Sequence, residues 1–178
     1  MPLENDSNEQ KQIRPAYLQA LYEAAQIINQ SVELEEILQH IVEQAWKITG
    51  TDGNQAQYCT ILLKVDDKLE YVASYPQNYL RHSPKMVLQE VTKLGVTGRA
   101  LMTAQIQLVN DVNLDIDYIS VDSVIRSELA IPIESGGEVI GVINVEHSQP
   151  NAFNRQDVKV FATLAELAAA AIARARFC

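Results

Sequence analysis

The stretch 126–147, "RSELAIPIESGGEVIGVINVEH", constrains the fold of this chain more than any other. Apolar residues alternate on both sides of Gly136-Gly137, and a two-glycine turn between period-two runs signals a tight antiparallel hairpin. In the first run Leu129, Ile131 and Ile133 share one face, and Ala130 and Pro132 the other. In the second, Ile140, Val142, Asn144 and Glu146 share a face, and Gly141, Ile143, Val145 and His147 the opposite one. Pro132 donates no ladder hydrogen bond, which points to an edge or a bulge. Gly141 lets something approach the sheet closely, and a packed helix is the expected neighbour. The open end gathers Arg126, Ser127, Glu128, Asn144, Glu146 and His147. A purely structural hairpin does not need polar groups collected there.

The hairpin is embedded in a mixed chain. A first helix is expected from about Arg14 to Asn29, with Leu18, Leu21, Ala25 and Ile28 in one stripe and Tyr17, Ala20, Ala24 and Ile27 beside it. So wide an apolar surface exceeds what a simple surface helix needs. Ser31 is the expected cap of a second helix, whose core stripe runs Leu34, Ile37, Leu38, Ile41, Val42, Ala45 and Ile48. "AQYCTILLKV" and "KLEYVASY" read as a second hairpin, and "MVLQEV" as a further short strand. "LGVTGRALMTAQ" is a glycine-rich turn entering a short helix, and "IQLVND" a strand ending in a polar corner. Asn154 and Asp157 begin a final helix on which Lys159, Thr163, Glu166 and Arg174 form one narrow polar line. A helix apolar on most sides must bury two faces, one on the sheet and one on a partner helix. The order gives an α+β sandwich: an antiparallel sheet, terminal helices on one face and irregular elements on the other.

Charge and composition exclude several functions. The net charge is −9 with no basic stripe, which disfavours nucleic acid and anionic membranes. The two cysteines, Cys59 and Cys178, and three scattered histidines give neither a disulfide framework nor zinc-ligand spacing, so no metal site is expected. The acidic start "MPLENDSNEQ" lacks a signal-peptide pattern, and the run Phe161–Ala173 is too short to span a bilayer. A cytoplasmic protein is expected, with residues 1–12 disordered and 13–178 forming a single domain.

Several motifs in order resemble a GAF domain, a small-molecule sensory module of signalling proteins. They are "SVELEEILQHIVEQAWKITG", "LGVTGRAL", Asn110-Asp111, "IRSELAIPI", "GEVIGVINVEH" and "FNRQDVKVFATLAELAAAAI". The resemblance implies a GAF-like six-stranded antiparallel sheet, with N- and C-terminal helices packed on one face. On the other face it implies a loop-rich ligand pocket. Such modules sit inside longer chains such as sensor histidine kinases and other two-component proteins. The expectation is therefore an excised module whose output domain lies elsewhere in its parent.

Classes of GAF domain make different residue demands. The free-methionine-sulfoxide reductases resemble "VDSVIRSELAIPI" but place cysteines where this chain has Val121 and Thr97. Thiol redox chemistry needs a thiolate and a resolving thiol, and neither position supplies one. Leu114–Arg126 contains no Cys for a covalent bilin. Of the cyclic-nucleotide signature only Phe153 and Asp157 remain; its Asn-Lys falls on His147-Ser148 and its Glu on Val158. A cyclic nucleotide is therefore not favoured. His40, His82 and His147 read as ordinary surface or strand-end residues rather than haem ligands. The "GVTG" sequence reads as a tight turn before an anion site.

By resemblance, the seam between irregular segment and sheet borders the pocket. Thr97, Asn110, Asp111, Tyr118, Asp122, Arg126 and Ser127 are the candidate ligand-binding residues. The competing reading has Arg126 pair with Asp122 or Glu128 and merely fasten the loop. The expected function is a non-catalytic sensory module, homodimeric through its terminal helices, that binds an unidentified small molecule without a cofactor. The alternatives are a stand-alone small-molecule-binding protein, a degenerate reductase of the same fold, or a structural dimerisation spacer.

Overall fold

The computed structural model describes residues 13–30, 33–49, 55–66, 68–77, 95–120 and 122–176. The expected disorder of 1–12 and the strand "MVLQEV" lie outside the described residues.

Helix α1 spans Pro15–Gln30 and α2 spans Leu34–Ile48. Pro15 opens α1 where its missing N–H costs nothing. The position before α2 is held by Glu33, not by the expected Ser31, and its side chain makes no capping bond. Glu35 and Glu36 instead place negative charge at the positive end of the helix. At the other end Trp46 Nε1 donates to Ala56 O and Thr49 Oγ1 to Trp46 O, fastening the chain as it leaves.

Among the described residues, five antiparallel strands follow in the spatial order β2-β1-β5-β4-β3: β1 Tyr58–Val65, β2 Lys68–Tyr75, β3 Gln107–Val109, β4 Ser127–Ser135 and β5 Glu138–His147. A short helix α3, Gly95–Thr103, lies before β3, and α4, Arg155–Arg176, ends the described chain. Gly136 (φ +62°) and Gly137 (φ +84°) both take the left-handed conformation that a two-residue hairpin turn demands. β3 pairs with residues 128–130 of β4, so Pro132 stands beyond the reach of any described strand on that side.

The sheet separates two apolar clusters. On the helix face, Cys59, Ile61, Leu129, Ile131, Ile133, Ile143 and Val145 pack against α1, α2 and α4. On the loop face, Leu62, Leu69, Ala130 and Val142 pack against Val96, Ala100 and Leu101 of α3, and against Val109, Val112 and Ile125. Two expectations for β5 are corrected. Ile140 belongs to the helix-face cluster, because the β4–β5 register passes from Ile133–Gly141 to Glu134–Val139 and leaves Ile140 as the extra residue of a bulge. Gly141 makes room for strand β1, not for a helix. A Cβ there would run into the carbonyl oxygen of Leu62.

The terminal helices join within the chain. The stripe Tyr17, Ala20 and Ala24 is buried. Tyr17 OH donates to Asp157 at the start of α4. Asn154 caps α4 reciprocally: its Oδ1 accepts from Asp157 N at 3.1 Å, and its own N–H donates to Asp157 Oδ2 at 2.7 Å. Of the other stripe, Leu21 and Ile28 pack against the same core, while Leu18 is 55% exposed and Tyr22, beside it, 61%.

Candidate functional site

Strand alternation brings a second set of residues to the loop face besides its apolar ones. Glu128 and Glu146 are direct cross-strand partners on β4 and β5, and Tyr58 of β1 pairs with Glu146 from the other side. Asn144 pairs with Thr60 of β1 and with Ala130 of β4. Tyr71 of β2 packs in the same cluster, and Tyr118 reaches it from the irregular segment above. The result is a polar floor inside an otherwise apolar layer.

This floor is buried and incompletely satisfied. Glu128 and Glu146 are each 4% exposed. Among the described residues, Thr60 Oγ1 and Asn144 Oδ1 are buried without a hydrogen-bond partner, and Tyr118 OH is buried with only Ser120 beside it. Buried orphans of this kind are rare, and two on neighbouring residues of one face point to a missing polar partner. Desolvation raises both carboxyls above the usual range. For Glu128 the charge of Glu146 adds to it and a hydrogen bond from Asn144 opposes it; for Glu146 Asp122 adds to it. Burial also raises Tyr71 and Tyr118, with Glu146 and Glu128 next, and pushes Tyr58 up to about 12, where Asp122 contributes second.

Magnitudes decide how the two acids are held. Protonating a glutamate of ordinary pKa at pH 7 costs about 4 kcal/mol. Burying an ionised carboxylate without a cation costs several kcal/mol, and a like charge directly opposite adds to that. One ionised and one neutral acid is therefore favoured over two charges.

The residues singled out from the sequence divide into two groups. Tyr118 and Asp122 belong to the cluster, and Asp122 Oδ2 accepts from Tyr58 OH at 2.8 Å. Asp122 Oδ1 also accepts from Val124 N, which shapes the turn into β4. Thr97 is buried in α3. The others fasten the segment. Arg126 pairs with Asp111, at 2.8 Å and 3.3 Å, rather than with Asp122 or Glu128. That pair draws the Asp111 carboxyl below its ordinary value. Asn110 accepts Asn151 N–H through its carbonyl. Ser127 Oγ donates to Gln149 O and so grips the turn leading to α4. Glu128, Asn144 and Glu146 were noted at the open end of the hairpin but not named as ligand-binding candidates, and Thr60, Tyr58 and Tyr71 were not singled out. The one available signal was parity, which puts Asn144 and Glu146 on one face.

The segment over the floor has its own anchors. Arg99 of α3 binds Asp115 through two bonds, at 2.7 and 3.1 Å, and Asp117 at 2.7 Å, which holds the Asp115 carboxyl below its ordinary value. Gly95 takes the left-handed conformation (φ +58°), and a Cβ there would meet the backbone of Asp117 and Ile119 at 3.0 and 3.2 Å, tighter than ordinary contact. The "GVTG" turn thus serves packing.

Thiol chemistry has no support among the described residues. Cys59 lies on the helix face, fully buried, and burial pushes its thiol well up. Cys178 and position 121 lie outside the described residues. No group of three His, Cys, Asp or Glu among the described residues could hold a metal, and no described helix is long and apolar enough to cross a membrane. A separate cleft of about 510 Å³ lies at the β4 edge, lined in part by Ile106, Ile131, Pro132, Glu134 and Glu166. It has no buried unpaired polar atom, so the loop-face floor is the stronger site.

Comparison with known proteins fits this geometry. Residues 31–173 match the family described as GAF domain. Over 80 residues the chain is 30% identical to protein YtsP of Bacillus subtilis, covering 45% of this chain and 49% of that protein. Over 74 residues it is 35% identical to the free methionine-R-sulfoxide reductase of Saccharomyces cerevisiae, covering 41% of each. The matched stretch thus spans less than half the length of either relative. Among solved structures, the GAF domain of an Acinetobacter phosphoenolpyruvate-protein phosphotransferase superposes with a TM-score of 0.76 at 23% identity, over 90% of this chain and 94% of that one. The free methionine-R-sulfoxide reductase of Neisseria meningitidis, in complex with its substrate, gives 0.77 at 20% identity, over 90% of each. At such identities these two share the fold alone.

Proposed function

The chain belongs to the GAF domain family, and from that premise we propose that it binds a small polar molecule on the loop face without thiol chemistry. The observation that carries this reading is the pair of buried polar atoms, Thr60 Oγ1 and Asn144 Oδ1, that have no partner among the described residues beside the Glu128–Glu146 pair. A ligand rich in hydrogen-bond donors would satisfy Asn144 Oδ1 and the carboxylates, while Tyr58, Tyr71 and Tyr118 wall it. Similarity to free methionine-R-sulfoxide reductases favours a reductase-like, small-molecule-binding domain over a module that only dimerises. Val121 and Thr97, standing where those enzymes are expected to carry cysteines, support binding rather than reduction.

The test pairs binding with turnover. Calorimetric titration of free amino acids, methionine-R-sulfoxide among them, should give saturable binding that Asn144→Leu abolishes. Reduction of free methionine-R-sulfoxide with dithiothreitol should stay at the level without protein. Steady turnover would overturn the thiol-free reading.

The sensory role is a further part of the proposal. Glu128 and Glu146 are each one residue from Ser127 and His147, which hold the 148–154 turn through Ser127 Oγ–Gln149 O and Gln149 N–His147 Nδ1. His147 meets Phe153 edge-on, and Phe153 meets Phe161 of α4. A ligand that shifts the strand ends would bias α4, and through Asp157 and Tyr17 also α1. The exposed Leu18 and Tyr22 support pairing of α1 with a second copy.

A further inference from the structure

The described helices cover the sheet unevenly. α2 packs on β1 and β2, and α4 on β4 and β5, while β3 takes its helix contact chiefly from α3 on the opposite face. The flank of α4 nearest β3 therefore borders a groove, the cleft of about 510 Å³ at the β4 edge. We propose that this groove docks a basic amphipathic helix of a partner protein. The apolar stripe of that helix lies against the groove walls, and its lysines or arginines reach Glu134 and Glu166. This docking surface lies on the other side of the sheet from the ligand site and does not depend on it.

The walls are apolar and in part uncovered. Ile131 and Pro132 of β4 face Ala162 and Ala165 of α4 across the groove. Ile106 also lines it and is 41% exposed. Leu108 is the direct cross-strand partner of Leu129, a member of the helix-face cluster, so it leaves the sheet on that face. It too is 41% exposed. Two large apolar residues in the open beside an apolar cleft mark a surface for a partner.

Shape and charge select the partner. A strand is disfavoured, because Pro132 stands just past β3 on the β4 edge and has no N–H to offer it. A small polar ligand is disfavoured too. The buried atoms without a partner among the described residues, Thr60 Oγ1 and Asn144 Oδ1, lie on the loop face rather than here. A helix fits: Ala162 and Ala165 are three residues apart on α4, and such small side chains allow axes to approach to about 8 Å. An amphipathic helix laid there presents apolar residues at i, i+3, i+4 and i+7. Glu134 and Glu166 are both exposed and have no ion-pair partner among the described residues. No lysine or arginine among those residues lines the groove. A negative rim attracts a basic helix and repels an acidic one.

The test uses the whole chain and two labelled, amidated peptides of about 18 residues, long enough to fold into a helix on docking. Both carry leucine at i, i+3, i+4 and i+7; one has lysine on its polar face and the other glutamate. Fluorescence anisotropy should show saturable binding of the lysine peptide, and binding of the glutamate peptide weaker by about tenfold or more. Glu134→Lys with Glu166→Lys should weaken the lysine peptide by about tenfold, while Glu23→Lys with Glu35→Lys, an equal change of charge on α1 and α2, should leave it within about twofold. Ala162→Arg, which puts a long cationic side chain into the groove, should abolish binding. Amide NMR should place the shifts at Ile106, Leu108 and Ala162. No binding, equal binding of both peptides, equal loss in the two charge variants, or shifts centred on Leu18 and Tyr22 overturns the proposal. A dimer of the wild type that Ala162→Arg dissolves and Leu18→Glu does not would make a second copy the occupant, and the proposal falls. Shifts at the same three residues from n-hexylammonium at peptide concentrations would make a small cation the occupant, with the same consequence.

Discussion

Gly141 and Tyr17 show how single side chains position the site. A methyl group at Gly141 would meet the Leu62 carbonyl and Leu63 side chain, so Gly141→Ala must push β1 from β5. The expected loss is about 1–3 kcal/mol, the usual range for overpacking, read as a lower denaturant midpoint with unchanged slope. Tyr17→Phe leaves Asp157 with one partner fewer and should cost about 1–3 kcal/mol in the same experiment. Neither contact was legible beforehand. The glycine could be flagged as a close approach, but a glycine does not reveal whether strand or helix comes near. The place of the acids at the open end was legible, but their depth of burial was not. Charged residues at strand ends normally face water, and only the cover of Tyr118, Tyr58 and α3 turns Glu128 and Glu146 inward.

Elements were far more legible than contacts, because period and punctuation are local. The expected first helix at Arg14–Asn29 is found at Pro15–Gln30, and the paired glycines turn the hairpin as their dihedral freedom requires. The bulge at Ile140 escaped because an extra residue in one strand shows only in the pairing register. The cap at Asn154 was legible and is made reciprocally with Asp157. Asn154→Ala should destabilise the chain by about 1 kcal/mol, with the last helix losing protection from hydrogen exchange first. At the level of the segment over the floor, Asp115→Asn breaks the two-bond clamp on Arg99. A loss of about 1–2 kcal/mol is expected, since the pair is partly exposed.

At the scale of the whole molecule, burial of the acid pair sets how stability responds to pH. Both carboxyls are raised above their unfolded values, so between about pH 4.3 and the folded values the native state binds more protons than the unfolded one. Their contribution to stability is thus largest below pH 4.3 and declines as pH rises through that window. Asp111 and Asp115 act oppositely, and lower, losing their stabilisation as pH falls below about 3.9. Denaturant midpoints measured from pH 5 to 8 should fall in the wild type and flatten in Glu128→Gln. Assembly is the second property at this scale. Leu18 and Tyr22 are exposed on α1, so pairing through that face should make the wild type dimeric by light scattering and Leu18→Glu monomeric. A wild type monomeric at high micromolar concentration would remove dimerisation from the mechanism.

The central claim is that the loop-face floor of β1, β4 and β5 holds the ligand. The most direct measurement is a two-dimensional amide NMR titration of the isotope-labelled chain with methionine-R-sulfoxide. Saturating shifts are expected at Thr60, Tyr118, Asn144 and Glu146, with little change at the β4-edge cleft around Pro132 and Glu166. Shifts centred on that cleft, or none at all, would contradict the claim.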